Sequence, residues 1–389
     1  MTDALLLSGG TVLPVSDPEI SNGEVLVEGS KIKAVGKNLP AEAVRKIDVT
    51  GKYVVPGFVD AHCHIGMFND AVGFEGDDGN ECTDPVTPHL RAIDAIYPTD
   101  LPFEEALQAG VTTAVTGPGS ANVLGGTFAA IKTYGNTVEK KLLRQPIAMK
   151  CAFGENPKRV YNSMKKSPST RMATAAILRE TLFRAAEYLE KKEAAGDDPS
   201  KRPAFDIKME SLIPVLKREI PLKAHAHRAD DIMTAIRIAE EFNVRITLDH
   251  CTEGHLIIDE IVSRKLPAIV GPTFGTRTKI ELKNTTFDTI VKLTKAGVKT
   301  AIMTDSPVIP LDSLPLCAKF AIQHGLTKEE ALRCITLSAA EIAEIADRVG
   351  SLESGKDADI VVFDRHPMDF DAKVEMVIVD GAIVYEHKN

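Results

Sequence analysis

The amino-acid sequence predicts an α/β protein: a closed (β/α)8 TIM barrel carrying a small β domain built from both ends of the chain. Three observations lead there. The chain has 389 residues, more than one compact sandwich needs. Both ends read as short alternating strands, whereas the middle alternates strand and helix. That middle also holds eight short apolar segments, the number a closed barrel of this kind requires. An open doubly wound sheet is the runner-up.

In order along the chain, residues 1–55 form the first part of the β domain. "ALLLSGGTVLP", "NGEVLVEGSKIKAVG" and "RKIDVTGKYVV" alternate apolar and polar residues between Gly-rich turns. Residues 56–345 form the barrel, with strands in "GFVDAH", "VTTAVTG", "TFAAIKTY", "IAMKCAFG", "PLKAHAH", "RITLDH", "PAIVG" and "KTAIMTD". Helical stretches separate most of them. "AAILRETLFRAAEYLEKKE" places Leu178, Leu182, Ala185 and Leu189 on one face, with Arg184, Glu187 and Glu190 turned outward. "TGPGSANVLGGTF", residues 116–128, lacks the Gly-Lys-Ser/Thr ending of a phosphate loop and reads as tight turns between strands two and three. Residues 68–100, rich in Gly, Asp, Asn and Pro, read as a solvated lid after strand one. Residues 346–389 complete the β domain through "DADIVVFDRHP" and a hairpin in "VEMVIVDGAIVYE" turning at Asp380-Gly381.

Composition narrows the partners. Apolar residues make up 44% and charged residues 26%, enough to bury a large core. The formal charge of −9, with 55 acids against 46 bases and no long basic block, argues against nucleic acid and anionic membrane. The start has no basic n-region, and no run approaches the roughly 18 apolar residues of a membrane span. Six cysteines without paired spacing read as reduced thiols of a cytoplasmic protein. Cys63, Cys151 and Cys251 are read as strand fillers.

In a (β/α)8 enzyme, chemistry collects at the C-terminal ends of the strands. His62 and His64 close strand one, Lys150 lies on strand four, and His225 and His227 close strand five. His250 closes strand six and Asp305 strand eight. Five of the ten histidines thus fall at three strand ends. Residues i and i+2 of a strand share a face, so His62 and His64 can hold one ion together. The joint placement makes a divalent-metal site the expected reading.

These residues carry a resemblance over nearly the full chain. "GKYVVPGFVDAHCH", "HAH", "LDHC", "MTDS" and the closing "GSLESGKDADIVVFD…VIVDGAIVYE" resemble the amidohydrolase superfamily, most of all its imidazolonepropionase-related and dipeptidase-like hydrolases. The resemblance implies a TIM barrel flanked by a β-sandwich made from both termini. It implies two divalent ions per chain, zinc being the first expectation. His62, His64 and Asp305 would hold the more buried ion, and His225 and His250 the second. Lys150 matches a lysine that is carboxylated in binuclear members and bridges both ions, with Glu155 as the alternative bridge. His227 is the alternative to His225 and otherwise supports the ligands. Asp305 would also be the general base.

The expected reaction is hydrolysis of a C–N bond in a small molecule (an amide, N-acyl amino acid, dipeptide or cyclic amide) by metal-activated hydroxide. Mononuclear deamination of a nitrogen heterocycle and imidazolonepropionase-type ring hydrolysis are the alternatives. Both usually need a Glu just beyond the strand-five His, where this chain reads His225-Ala226-His227-Arg228. Arg159, Tyr161 and Arg277, in loops after strands four and seven, are candidates for holding a substrate carboxylate. Barrels of this kind often associate, so a homo-oligomer remains open.

Overall fold

The computed structural model describes residues 4–40, 45–71 and 73–387. Strands β1 (Ala4–Val12), β2 (Ile20–Glu28), β3 (Lys31–Gly36), β4 (Arg45–Asp48) and β5 (Tyr53–Pro56) come from the N-terminal end. The central sheet holds β6 (Phe58–Cys63), β7 (Val111–Thr116), β8 (Leu124–Lys132), β9 (Leu142–Ala152), β10 (Leu222–Ala226), β11 (Ile246–His250), β12 (Ala268–Val270) and β13 (Thr300–Ile302). The chain ends with β14 (Ile360–Phe363), β15 (Val374–Val379) and β16 (Ala382–Glu386).

The two ends meet in one sheet of order β16-β15-β14-β5-β1-β2-β3, with β4 beside β1. β5 is its centre, pairing parallel with β1 and antiparallel with β14. The sheet folds over its own core. Ile32 N–H donates to Lys356 O and Ala358 N–H to Ser30 O, each at 2.9 Å. Val27 and Ile32 from the N-terminal strands therefore share a buried cluster with Ile360 and Ile378 from the C-terminal ones.

The eight central strands follow chain order from β6 to β13. Asp60 on β6 closes the seam. Its Oδ2 accepts the Thr304 N–H at 2.9 Å and hydroxyl at 2.6 Å, just beyond β13. The backbone adds His64 N–H to Ser306 O at 2.7 Å. One strand departs from a regular (β/α)8 barrel: β8 runs antiparallel to both β7 and β9. Residues 117–123 and 133–141 connect it, and neither segment reaches the dozen or more residues that a parallel crossover takes. Gly-rich turns at 116–128 therefore reverse the chain instead of sending it through a helix.

The helix Arg171–Ala195 buries Leu178, Leu182 and Ala185 as its periodicity predicts, while Leu189 is only half-buried and Tyr188 packs inward. Residues 68–100 are not a detached lid. Val86 and Arg91 bridge to Leu124 and Thr127 of β8, and the Thr87 N–H donates to Leu124 O at 2.8 Å. Among the described residues, no helix is long and apolar enough to cross a membrane. All six cysteines are free thiols, and Cys63, Cys151 and Cys251 are fully buried.

A buried ionic cluster fastens the terminal sheet to the barrel. Lys132, at the end of β8, contacts Asp359, lies 2.9 Å from Asp357, and approaches Asp380 at 3.5 Å. Asp357 also takes a bidentate Arg348 at 2.8 Å. Burial alone would push the Asp357 carboxyl up, but Arg348, Lys132 and Lys31 outweigh it and hold the pKa at about 2. Its stabilising contribution is complete above the ordinary 3.8 and is lost as pH falls through about 2. Replacing Lys132 by Met leaves the buried Asp359 carboxylate without its cation, while Asp357 keeps Arg348 and Lys31. That variant should lose about 3–5 kcal/mol of stability, read as a lower urea-unfolding midpoint at neutral pH, with a smaller loss near pH 2.

Candidate metal centre

Two groups of side chains meet at the C-terminal ends of the barrel strands: His62, His64 and Asp305 in one, and His225, His227 and His250 in the other. Within each group the potential ligand atoms lie within 4.8 Å of one another. The groups adjoin, since the His62 and His250 ring centroids are 5.6 Å apart.

In the first group, the protein occupies one nitrogen of each imidazole and frees the other. His62 Nδ1–H donates to Asp249 Oδ2 at 2.5 Å, and Lys223 Nζ approaches the same oxygen at 3.0 Å. His62 Nε2 then faces Lys150 Nζ at 3.2 Å and Asp305 Oδ1 at 3.5 Å. His64 Nδ1–H donates to Gly117 O at 2.6 Å, leaving Nε2 at 3.2 Å from Asp305 Oδ1. Orientation by a carboxylate or carbonyl is how metal-ligating imidazoles are usually held.

The second group repeats the device. His250 Nδ1–H donates to Gly271 O at 2.8 Å, and its buried Nε2 has no hydrogen-bond partner. His225 Nε2 lies 3.4 Å from the Asn156 amide, and its buried Nδ1 is likewise unpartnered. His227 differs, because both of its nitrogens are engaged. Nδ1 bonds Thr252 Oγ1 at 2.8 Å, and Nε2 faces Lys279 Nζ at 3.4 Å and Glu281 Oε1 at 3.7 Å. His225 and His250 are therefore the pair with nitrogens to offer. An unpaired buried polar atom costs on the order of 1–3 kcal/mol, so an orphan nitrogen on each of two rings whose centroids are 4.2 Å apart marks a place where a ligand would be stabilising. His250 and Asp305 both adopt the left-handed backbone, at φ 68° and 56°, a strain typical of functional positions.

Electrostatics suit a cation. Burial, reinforced by nearby cations and by neighbouring imidazoles, pushes His62, His225, His227 and His250 well below the ordinary imidazole range, so they stay neutral. Burial also brings the Lys150 ammonium down to about 8, against the opposing pull of Asp249 and Asp305. Neutral imidazoles with a carboxylate form a donor set that fits a divalent ion.

The site opens into a cavity of about 680 Å³ lined by His64, His225, His250 and Asp305. Phe68, Phe274 and Val308 supply apolar wall, and Asn156, Arg277 and Lys279 supply polar wall. Of the other residues singled out in the sequence, only Arg277 reaches this cavity, and its Nε and Nη2 donate to Lys283 O and Thr285 O at 3.1 Å. Tyr161 is fully buried and donates to Asn122 Oδ1, away from the cavity. Arg159 is exposed, 3.7 Å from the Glu155 carboxylate, which belongs to neither group. The segment read as a loop is a helix, Glu155–Ser163. Its first turn brings Asn156 to the site and its last turns Tyr161 into the core.

Residues 53–384 match the model of the amidohydrolase family. The chain belongs to that family. A crystal structure of an amidohydrolase from Thermotoga maritima MSB8 shares 45% identity and superposes with a TM-score of 0.96, covering 98% of this chain and 100% of that one. Amidohydrolase tasK of Hapsidospora irregularis is 28% identical over 99% of this chain, which spans only 43% of its length. Imidazolonepropionase of Fusobacterium nucleatum subsp. nucleatum is 23% identical, with 90% of this chain and 86% of that protein covered. A prolidase solved with N-methylphosphonate-L-proline is 21% identical with a TM-score of 0.62 over 99% of this chain and 100% of that one, a likeness of fold. As a member of this family the chain is a hydrolase; the family acts on small molecules and generally uses divalent metal.

Sequence reasoning missed Asp249, Lys223 and Asp60, although strand alternation carried a signal for two of them. Lys223 shares a face with His225 and His227, and Asp249 with Thr247, whose hydroxyl bonds it at 2.8 Å. Replacing Asp249 by Asn should weaken divalent-metal affinity by roughly 10–100-fold. Competition with a metal chelator measures this, and an unchanged far-UV circular dichroism spectrum would show that the fold survives.

Proposed function

We propose that this amidohydrolase cleaves a C–N bond of a small amide, N-acyl amino acid, dipeptide or cyclic amide with two divalent ions, zinc foremost. The observation that carries the reading is the pair of unpartnered nitrogens, His225 Nδ1 and His250 Nε2, beside the His62–His64–Asp305 group and Lys150. His62, His64 and Asp305 would hold one ion, and His225 and His250 the other. Lys150 would serve both as a carbamate, formed when its neutral amine attacks carbon dioxide and loses a proton. Its position on β9 supports this role over Glu155, since the amine lies 3.2 Å from His62 Nε2.

Bound divalent ions supply an acidified water and an electrophile for a carbonyl oxygen. The chain's own residues do the rest. Asp305, at the cavity floor beside His64 Nε2, takes the proton of the attacking water and delivers it to the leaving nitrogen. The imidazoles aimed by Asp249, Gly117 and Gly271 keep their free nitrogens toward the reacting centre. Phe68, Phe274 and Val308 exclude water from the apolar part of the substrate.

Hydrolysis of an N-acyl amino acid or dipeptide panel should require divalent metal and cease on chelation. Asp305→Asn should lower kcat by about 10²–10⁴-fold. Protein equilibrated with ¹³C-bicarbonate should show a carbamate carbon resonance that Lys150→Met removes. Ammonia as the sole nitrogen product from a heterocycle, with one metal per chain, would favour deamination instead.

A further inference from the structure

We infer that Lys279 is the anchor for a free carboxylate on the substrate, which makes the site selective for N-acyl α-amino acids or dipeptides over their neutral counterparts. This deepens the amide-hydrolase reading and rests on it for the reaction, but not for binding.

Lys279 lies in the segment after β12, within the cavity wall. Its Nζ is held by Asn156 Oδ1 at 3.0 Å and Glu281 Oε1 at 3.2 Å, and stands 3.4 Å from His227 Nε2. An ion pair with Glu281 does not exhaust its charge. Glu281 is itself shared: Oε2 accepts the Glu155 N–H at 2.9 Å and lies 4.0 Å from Arg171, while Oε1 lies 3.7 Å from His227. Glu281 has no exposed side-chain surface, whereas 18% of the Lys279 side chain is accessible. The carboxylate is therefore a rear support, and Lys279 is the member of the pair with surface in the cavity. Gly154 makes room for that support. It adopts φ +78°, and a Cβ there would fall 2.5 Å from Glu281 Oε2.

At the Lys279 end the cavity wall is positive, with Arg277 and Lys279 both lining it. Asp305 is the acidic residue of the cavity lining, and it sits in the other ligand group. Arg277 spends two of its donors on backbone carbonyls and shapes the loop instead.

Reach selects the ligand. In an N-acyl α-amino acid, three bonds separate the scissile carbonyl carbon from the carboxylate carbon, a span of about 3–4 Å from standard bond lengths. Lys279 lines the same cavity as His225 and His250, so a ligand this short keeps its carboxylate and its amide within one site. A carboxylate on Lys279 would thus keep the amide carbonyl in the cavity that His225 and His250 line, whose apolar wall is Phe274 and Val308.

The test compares N-acetyl-L-leucine with N-acetyl-L-leucinamide, and a Leu-Pro dipeptide with its C-terminal amide, on the metal-loaded protein. Binding is read by isothermal titration and turnover by kcat/KM. The wild-type protein should prefer each acid by at least about tenfold, in binding or through KM. Lys279→Met should collapse the acid-to-amide ratio toward one, and Lys279→Arg should restore part of it, with metal content equal in all three. A wild-type protein without acid preference, no measurable binding of either acid, or a Lys279→Met variant that keeps the ratio would overturn the inference. Selective acid binding lost in Lys279→Met, with none of the probes hydrolysed, would uphold the Lys279 subsite while the amide-hydrolase reading failed.

Discussion

A buried imidazole has two nitrogens, and fixing one decides what the other does. At the barrel mouth His62, His64 and His250 each commit Nδ1 to a rigid acceptor: the Asp249 carboxylate, the Gly117 carbonyl and the Gly271 carbonyl. Their Nε2 atoms are left to converge on shared space. His225 reverses the assignment by facing Asn156 with Nε2 and leaving Nδ1 open. Burial keeps His62, His225 and His250 neutral, so they are electron-pair donors and not cations. The proposed acid–base residue and substrate anchor both sit against this arrangement, Asp305 beside His64 and Lys279 beside His227.

Such precision needs a scaffold that does not slide. Asp60 ties β6 to the chain beyond β13, which sets His62 against Asp305 across the seam. On the opposite side, the antiparallel β8 presents Phe128 to His62 and to the Lys150 and Lys223 ammonium groups. The terminal sheet is fastened to the same strand through Lys132 and its aspartates. One strand thus links the remote ends of the chain to the wall of the site.

Much of this was legible in the sequence, and the reasons differ by element. All eight barrel strands overlap the eight apolar runs, and four of those runs end in His or Asp, because a buried strand must be apolar until it reaches the mouth. The reversal of β8 was legible too, in the short Gly-rich connections, but it was read only as tight turns. The gathering of His62, His64, His225, His227, His250 and Asp305 at the barrel mouth followed from strand ends, whereas the choice of His225 over His227 came from the family resemblance. Tyr161, Arg159 and Glu155 were misplaced because residues 155–163 read as loop. As a helix they face three ways, and only the unremarked Asn156 meets the ligands. Lys279 and Glu281 sit in an irregular segment with no periodicity, so nothing but three-dimensional proximity to His227 singles them out.

The account turns on two ions lying either side of Lys150. Anomalous scattering at the zinc edge from crystals of the zinc-loaded protein tests this most directly. Two peaks are expected, one among His62, His64 and Asp305 and one at His225 Nδ1 and His250 Nε2, with density extending the Lys150 amine between them. No peak in either group, or ions held elsewhere while the two orphan nitrogens stay free, would contradict it.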